Sequence, residues 1–339
     1  EGMPPSESVI VDEAARAHPL DLFIPLSMAR RRVVLVGDHR QLPHLLEPDV
    51  ERQLAEGVEQ GTVEELTLAA IRASLFERLW VLLRKLEQQD GIRRTVTLNT
   101  QYRMHPALGG FVSQVFYEAR GDGAIESPRA EGQFTHDLPG YAKDGAPCAA
   151  AWLDVPRDRG AEQRGISKSR SAEARVIAGE VRRLLDHAPR LTFGVISFYR
   201  AQVDEIGQAM LATGLTEPAG NARGWAVAEA FASTYDARGK KVERLRIGTV
   251  DAFQGMEFDV VFLSVTRSND LPGQTEEQRR RKYGHLMLEN RLCVAMSRQQ
   301  RLLIAVGDLD FVRAEEATEP LRALRAFAEL CGDRHGTIR

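Results

Sequence analysis

Cysteine is scarce in this chain: Cys148, Cys293 and Cys331 are the only three in 339 residues, and no two form a C-x-x-C pair. That spacing argues against a zinc site or a disulfide frame and suits a reducing compartment, so the protein is expected in cytoplasm, nucleoid or nucleus and not outside the cell. Long apolar runs are missing too. None approaches the ~18–20 residues that cross a bilayer, and no basic-then-apolar signal segment opens the chain, so no membrane partner is expected. Excess charge of either sign is also lacking, since 45 basic and 48 acidic residues leave −3. Net charge therefore gives no sign of nucleic acid, although a basic groove can hide inside a neutral total. Internal repeats and low-complexity tracts are absent, and no G-x-x-x-x-G-K-[ST] phosphate loop occurs.

What remains is ordinary for a globular protein: 43% hydrophobic and 27% charged residues, in a length that suits two domains. Short apolar runs alternate with helical patterns, which predicts an α/β protein with parallel sheets. Strands are expected at Ser8–Val11, Val33–Val36, Thr95–Leu98, Ala149–Val155, Leu191–Phe198, Leu245–Val250, Phe258–Val265 and Leu302–Val306. Helices are expected at Ile24–Ala29, with Pro25 in its first turn and Arg30, Arg31 and Arg32 at its end. Others are Thr62–Gln89, Pro106–Tyr117, Ser171–Asp186 capped by its serine, Arg200–Ala212, Trp225–Ser233, Leu286–Ser297 and Glu319–Cys331. Glu47–Gly61 reads as an acidic surface insertion, Gly121–Gly145 as loop, and Asn269–Lys282 as a mobile polar loop. The domain boundary falls near Thr95–Gln101.

Five islands stand out against this pattern, in a fixed order: Val11-Asp-Glu-Ala-Ala15, Gly37-Asp-His-Arg-Gln-Leu-Pro43, Gln101-Tyr-Arg-Met-His-Pro106, Val250-Asp-Ala-Phe-Gln-Gly-Met-Glu-Phe-Asp259 and Glu289-Asn-Arg-Leu-Cys-Val-Ala-Met-Ser-Arg298. Together they resemble a superfamily 1 helicase motor. The likeness is closest to the branch that includes the nonsense-mediated-decay, Sen-type and immunoglobulin-mu-binding helicases, and it runs from Val9 to about Gly307. It implies a RecA-like P-loop NTPase fold. Residues 1–98 would be an incomplete first RecA-like domain, carrying the carboxylate strand and the γ-phosphate sensor loop; residues 99–335 would be a complete second one.

The chemistry of each island follows from its residue types and from that resemblance. A phosphoryl-transfer site needs one carboxylate for Mg²⁺ and one group to orient water, and at the end of a strand Asp12 suits the first role and Glu13 the second. Gln41 is the amide that would sense the γ-phosphate, since an amide both donates and accepts. Arg103 would bring positive charge to that phosphate through its planar guanidinium, and Arg298 is the second such arginine by resemblance. Tyr102 is read as the tyrosine that stacks on the base, or else as a core aromatic. His105 has a structural hydrogen-bonding role. Glu257 would lie near the ribose or phosphates, and Thr249, Asp251 and Gln254 between nucleotide and nucleic acid. Arg291 either faces the nucleotide or forms an internal ion pair. Tyr199 and Arg200 would stack on a base and meet a phosphate, or simply open a helix; Arg267-Ser268-Asn269 is a similar candidate. Where the family reads Ala-Leu-Thr-Arg this chain has Ala295-Met-Ser-Arg298, which keeps side-chain volume and the hydroxyl.

The resemblance implies ATP and Mg²⁺ as cofactors and single-stranded DNA or RNA as partner. It implies translocation, 5′-to-3′ in this branch, by closure of two RecA-like domains on ATP·Mg²⁺. The missing phosphate loop points to a fragment, or to a split motor completed by a segment or partner chain that carries the loop. Weak nucleotide affinity and no turnover are then expected of the chain alone, and an exposed apolar sheet edge and face in the first domain. Two other readings stay open: a catalytically dead nucleic-acid-binding or scaffold module, and an NTPase acting on protein partners.

Overall fold

The computed structural model describes residues 6–43, 74–163, 165–220 and 224–339, and the chain divides into two compact units, Glu1–Leu98 and Asn99–Arg339. The expected insertion at Glu47–Gly61 and the part of the Thr62–Gln89 helix before Ser74 lie outside the described residues.

In the first unit, strand β1 (Ser6–Val11) pairs in parallel with β2 (Ala29–Leu35) across helix α1 (Pro19–Met28). The helix begins earlier than its apolar pattern suggests, because His18 Nδ1 accepts the Leu20 N–H at 3.2 Å and Pro19 occupies the first turn. Pro25 is consequently interior, and Arg30, Arg31 and Arg32 lie in β2 instead of at a helix end. Helix α2 (Leu75–Asp90) is capped by Ser74, whose hydroxyl also donates to the Ala15 carbonyl at 3.1 Å, and it ends on Gly91 at φ 72°. Ala14, Ala15, Leu22 and Phe76 form a small core. Ile10 (71% exposed), Val34 and Val36 stay open to solvent on one face, the exposed apolar sheet face expected from the sequence, and Val33 is exposed on the other. The strand expected at Thr95–Leu98 does not form. The Arg94 and Thr95 backbone N–H groups donate to the Glu87 carboxylate, so those donors serve a side chain and not a ladder.

The second unit is built on a six-stranded sheet. Helix α3 (Pro106–Val112) runs on through a π turn, and strand β3 (Ala150–Asp154) follows. After these come helix α4 (Ser171–His187), strand β4 (Phe193–Ser197) and helix α5 (Arg200–Leu211). Strands β5 (Leu245–Thr249) and β6 (Phe258–Ser264), helices α6 (Glu276–Tyr283) and α7 (Glu289–Ala295), strand β7 (Gln299–Gly307), helix α8 (Arg322–Gly332) and strand β8 (Gly336–Ile338) complete it. The order is β5-β4-β6-β7-β3-β8, and every pairing is parallel. The inner strands β3, β4 and β6 and most of β7 are buried on both faces, which is why their sequences are largely apolar. On one face Ile177, Val181, Leu184 and Ile206 of α4 and α5 cover Val195, Phe262 and Ile304. Elsewhere in the unit Phe327 meets Phe111 edge to face and Trp152 at a tilt, and Trp152 Nε1 donates to the Gly307 carbonyl at 3.0 Å.

Three expectations are corrected here. Trp225–Ser233 is not one helix: strand Trp225–Val227, a helical turn at Glu229–Ala232 and strand Ser233–Tyr235 replace it. The reason is tertiary pairing, Trp225–Val227 with Thr216–Pro218 and Ser233–Tyr235 with Lys241–Glu243. Ser171 is the first helical residue of α4, not its cap; Arg170 is the capping position. Asn269–Lys282 contains α6, started by a reciprocal Thr275–Gln278 capping box.

Beneath the carboxyl ends of β4 and β6 lies a fully buried polar network. Glu173 accepts from the Ser264 hydroxyl at 2.5 Å and from the Thr266 N–H at 2.9 Å, with Arg170 Nη1 3.7 Å away. Arg170 donates to the Gly160 and Pro156 carbonyls, and its N–H meets Gln202 Oε1. Burial pushes the Glu173 carboxyl up to about 7, against the opposing pull of Ser264 and Arg170. Between pH 4.5 and about 7 the folded state therefore holds more protons at this site than the unfolded chain. This group's contribution to stability accordingly falls as pH rises through that window. Above pH 7, where the carboxylate is ionised, Glu173→Ala leaves Arg170 as an uncompensated buried charge and should cost about 3–5 kcal/mol in urea unfolding followed by tryptophan fluorescence. Glu173→Gln should flatten the loss between pH 4.5 and 7; a pH dependence equal to wild type would show the carboxylate to be ionised throughout.

Candidate functional site

In the first unit, Asp12 and Glu13 leave the carboxyl end of β1 with both side chains exposed. Glu13 sits in the left-handed region at φ 53°, and its N–H donates to Asp12 Oδ1 at 2.9 Å. A non-glycine residue held there is a local strain of the sort that collects at functional sites. The loop after β2 comes close: a Cβ on Gly37 would stand 2.8 Å from the Ala15 nitrogen. Glycine at position 37 thus lets the Gly37–Gln41 loop lie against the carboxylate loop. Gln41 Nε2 donates to Asp38 Oδ2 at 2.7 Å, and the Arg40 N–H donates to Asp38 Oδ1 at 2.9 Å. Two exposed carboxylates at a parallel strand end can hold a hydrated Mg²⁺.

In the second unit three of the islands converge. Arg103 Nε donates to Glu257 Oε2 at 3.1 Å, and Nη1 donates to the Ser297 carbonyl at 3.1 Å. The loop that carries Arg103 is pinned by Gln101, whose Oε1 accepts from the Arg103 and Met104 N–H groups at 2.9 and 2.8 Å. Tyr102, beside it, is 63% exposed, so its ring is not a core aromatic. Arg298 is buried, with Nε on the Val294 carbonyl at 3.0 Å and Nη2 on Ser297 Oγ at 2.8 Å. Arg291 forms the internal ion pair that was one of its two readings, 3.1 Å from Asp251 Oδ2. Asp251 Oδ1 and Gln254 Oε1 are buried with no hydrogen-bond partner among the described residues, so two acceptors in this island are left unmet.

The sheet register gives this arrangement its shape. Thr249 pairs with Ser197, which pairs with Ser264, at the carboxyl edge. Phe258 pairs with Gln299 at the amino edge. The eight residues 250–257 between β5 and β6 therefore run from one edge of the sheet to the other, across β4. Phe253 is the foot of that crossing, and a Cβ on Gly194 of β4 would meet its ring at 2.8 Å and that of Phe258 at 3.1 Å. Thr249, Tyr199 and Arg200 thus gather at the carboxyl edge, while Glu257 and Arg298 immediately precede the strands that begin at the amino edge.

Tyr199 is interior, not displayed for stacking. It is 6% exposed, its ring lies 5.0 Å from that of His285, and its hydroxyl accepts from Arg267 Nη1 at 3.3 Å and the His285 N–H at 3.2 Å. Arg267 is equally enclosed, paired with Glu162 at 2.8 Å, and so is not a surface contact. Arg200 is exposed and ion-paired with Asp204 on its own helix at 3.3 Å. Glu162 and Glu173, which hold the carboxyl edge together, carried no local signal in the sequence.

A metal-like cluster also occurs, with ligand atoms of His105, Glu131 and His335 within 4.8 Å of one another. Its chemistry does not suit a metal. Burial holds the His105 imidazole down at about 4, and its Nδ1 accepts the Ala107 N–H at 3.1 Å as the cap of α3. A neutral ring bonded in that way carries its proton on Nε2, and Arg334 Nε already lies 2.8 Å from His335 Nε2. The structural role expected of His105 is this cap.

Fold and site together define a RecA-like α/β protein of the helicase kind. AAA domain families match residues 71–310 and 2–46. Helicase sen1 of Schizosaccharomyces pombe is 29% identical over 91% of this chain and 15% of its own length. The DNA-binding protein SMUBP-2 of Mesocricetus auratus is 28% identical over 88% of the chain and 24% of its own. A regulator of nonsense transcripts 1 homolog from Neurospora crassa is 28% identical over 89% and 22%. The arterivirus nonstructural protein 10 helicase superposes on 94% of the chain and 42% of its own, with a TM-score of 0.37 and 14% identity. The chain belongs to the AAA domain family, in the superfamily 1 branch that holds sen1 and the regulators of nonsense transcripts. It spans 15–24% of the length of these three curated relatives. Among the described residues no helix is long and apolar enough to cross a membrane.

Gly194→Ala should force Phe253 off β4 and cost about 1–3 kcal/mol, measured by thermal unfolding. Wild-type stability would mean that the 250–257 crossing is not seated on that glycine.

Proposed function

We propose that this chain is part of an ATP-dependent translocase acting on single-stranded DNA or RNA, moving 5′-to-3′. The observation that carries this reading is the convergence, in one unit, of groups from three separate islands: Arg103, Glu257, the Ser297 carbonyl and Arg298. Cationic groups arranged beside a backbone carbonyl and an exposed carboxylate suit a polyphosphate ligand. In this reading Asp12 holds Mg²⁺, Glu13 orients the attacking water and Gln41 reports the γ-phosphate. Arg103 and Arg298 supply charge, and the exposed Tyr102 stacks on the base. Thr249, Asp251, Gln254 and Arg200 serve the nucleic acid, and the 250–257 crossing ties them to Glu257. The unmet acceptors on Asp251 and Gln254 support a ligand there. Residues 1–98 act as part of a first RecA-like domain and 99–335 as the second. The phosphate cradle is supplied by a segment or partner chain carrying the phosphate loop, since none of the 339 residues forms that motif.

A second reading, a nucleic-acid-binding module without turnover, is favoured by the burial of Arg298 and by the Asp38 carboxylate on the Gln41 amide. The two separate in one assay, Mg²⁺-dependent ATP hydrolysis with and without single strands, run on the chain and on the full-length gene product. Strand-stimulated turnover that falls about 10²-fold or more in Glu13→Gln is expected. Strand binding without turnover in both proteins would sink the motor and leave the module.

A further inference from the structure

Arg103 is not idle. Its backbone is clamped by Gln101, so what remains to be placed is the guanidinium, and two acceptors place it. They differ in kind. The Ser297 carbonyl belongs to a buried residue beside Arg298 and is a fixed anchor. The Glu257 carboxylate follows the turn that Gly255 makes at φ 76°, with its side chain 51% exposed, and is a solvent-facing one. The Arg103 side chain is itself 31% exposed, so the pair faces solvent.

A guanidinium presents its N–H groups in a planar fork, and a carboxylate and a terminal phosphate make the same demand on that fork. We propose that Glu257 is a positioning residue for Arg103: its carboxylate holds the guanidinium against the Ser297 carbonyl and gives it up to an incoming nucleoside triphosphate. This rests on the reading of the protein as an ATP-dependent motor, and it changes the role the resemblance implies for Glu257, which is to touch the ribose or phosphates. The carboxylate takes the Nε–H that a triphosphate would need, and an exposed ion pair is weak enough to be displaced. Because Glu257 ends the 250–257 crossing, whatever moves that segment also moves the acceptor of Arg103.

The two roles for Glu257 predict opposite signs. If Glu257 touches the ribose or phosphates, Glu257→Gln weakens ATP binding. If its carboxylate competes for Arg103, the same variant tightens binding, by about two- to fivefold for one exposed pair, and the gain vanishes when Arg103→Ala is also present. Nucleotide affinity of the full-length protein, by calorimetry with a non-hydrolysable ATP analogue, reads this cycle. A second readout needs no nucleotide. The Arg103 Nε–H resonance of the 339-residue chain, assigned by its disappearance in Arg103→Ala, should be protected from solvent exchange in wild type. In Glu257→Gln that protection should vanish, with the fold intact by circular dichroism. Tighter binding that depends on Arg103, together with a Glu257-dependent Nε–H, supports the proposal. Weaker binding in Glu257→Gln, a gain that persists without Arg103, or an Nε–H indifferent to residue 257 overturns it while leaving the motor standing. If no variant of the full-length protein binds the analogue, the motor reading fails and the displacement step falls with it.

Discussion

The seat of Phe253 on Gly194 is the constraint from which much of the second unit's arrangement follows. Parallel strands are ordinarily joined by a dozen or more residues with a helix between them. Here eight residues carry the chain from the carboxyl end of β5 over β4 to the amino end of β6. So short a path must lie flat on the sheet, and it can do so only where a strand residue offers no side chain. Gly194 provides that room, and Phe253 takes it up as a wholly buried ring. Thr249 and Glu257 are thereby fixed at opposite edges of one sheet, joined by a segment with little freedom to move in part.

A second layer of order sits at the carboxyl edge. Glu173 collects the Ser264 hydroxyl and the Thr266 N–H, and Thr266 is held in the left-handed region at φ 67°. The next residue, Arg267, is turned inward onto Glu162 and Tyr199. Gly284, at φ 55°, lets the chain pass close to the Tyr199 hydroxyl, where a Cβ would come within 2.5 Å. The aromatic and the arginine that looked like surface groups are internal struts. A buried charge costs too much to leave unpaired, and each of these has its partner on a distant segment.

The inner strands of the second unit were legible because a strand buried on both faces is largely apolar, as Val260–Leu263 within β6 is. Errors fell where a local pattern had a tertiary competitor. Thr95, the first residue of the expected Thr95–Leu98 strand, gave its backbone donor to Glu87, and Trp225–Ser233 was divided between two hairpins. The arginines after α1 went into β2 because the helix had started early on His18 and Pro19. One miss was avoidable: Thr275 and Gln278 have the spacing of a capping box, within a stretch too charged to look like anything but loop.

By itself the sequence determined the α/β class and the family. Those properties live in apolar runs and in motifs of consecutive residues, where type and short spacing are enough. Only the tertiary structure decided that Tyr199 and Arg267 are inside, that Arg291 pairs with Asp251, and that Arg103 rests on Glu257 and a backbone carbonyl. Arg103 and Glu257 are 154 residues apart, and Glu162 and Arg267 are 105 apart. No local pattern encodes which of several nearby charges a guanidinium will take; that choice is made when the sheet register brings the strand ends together.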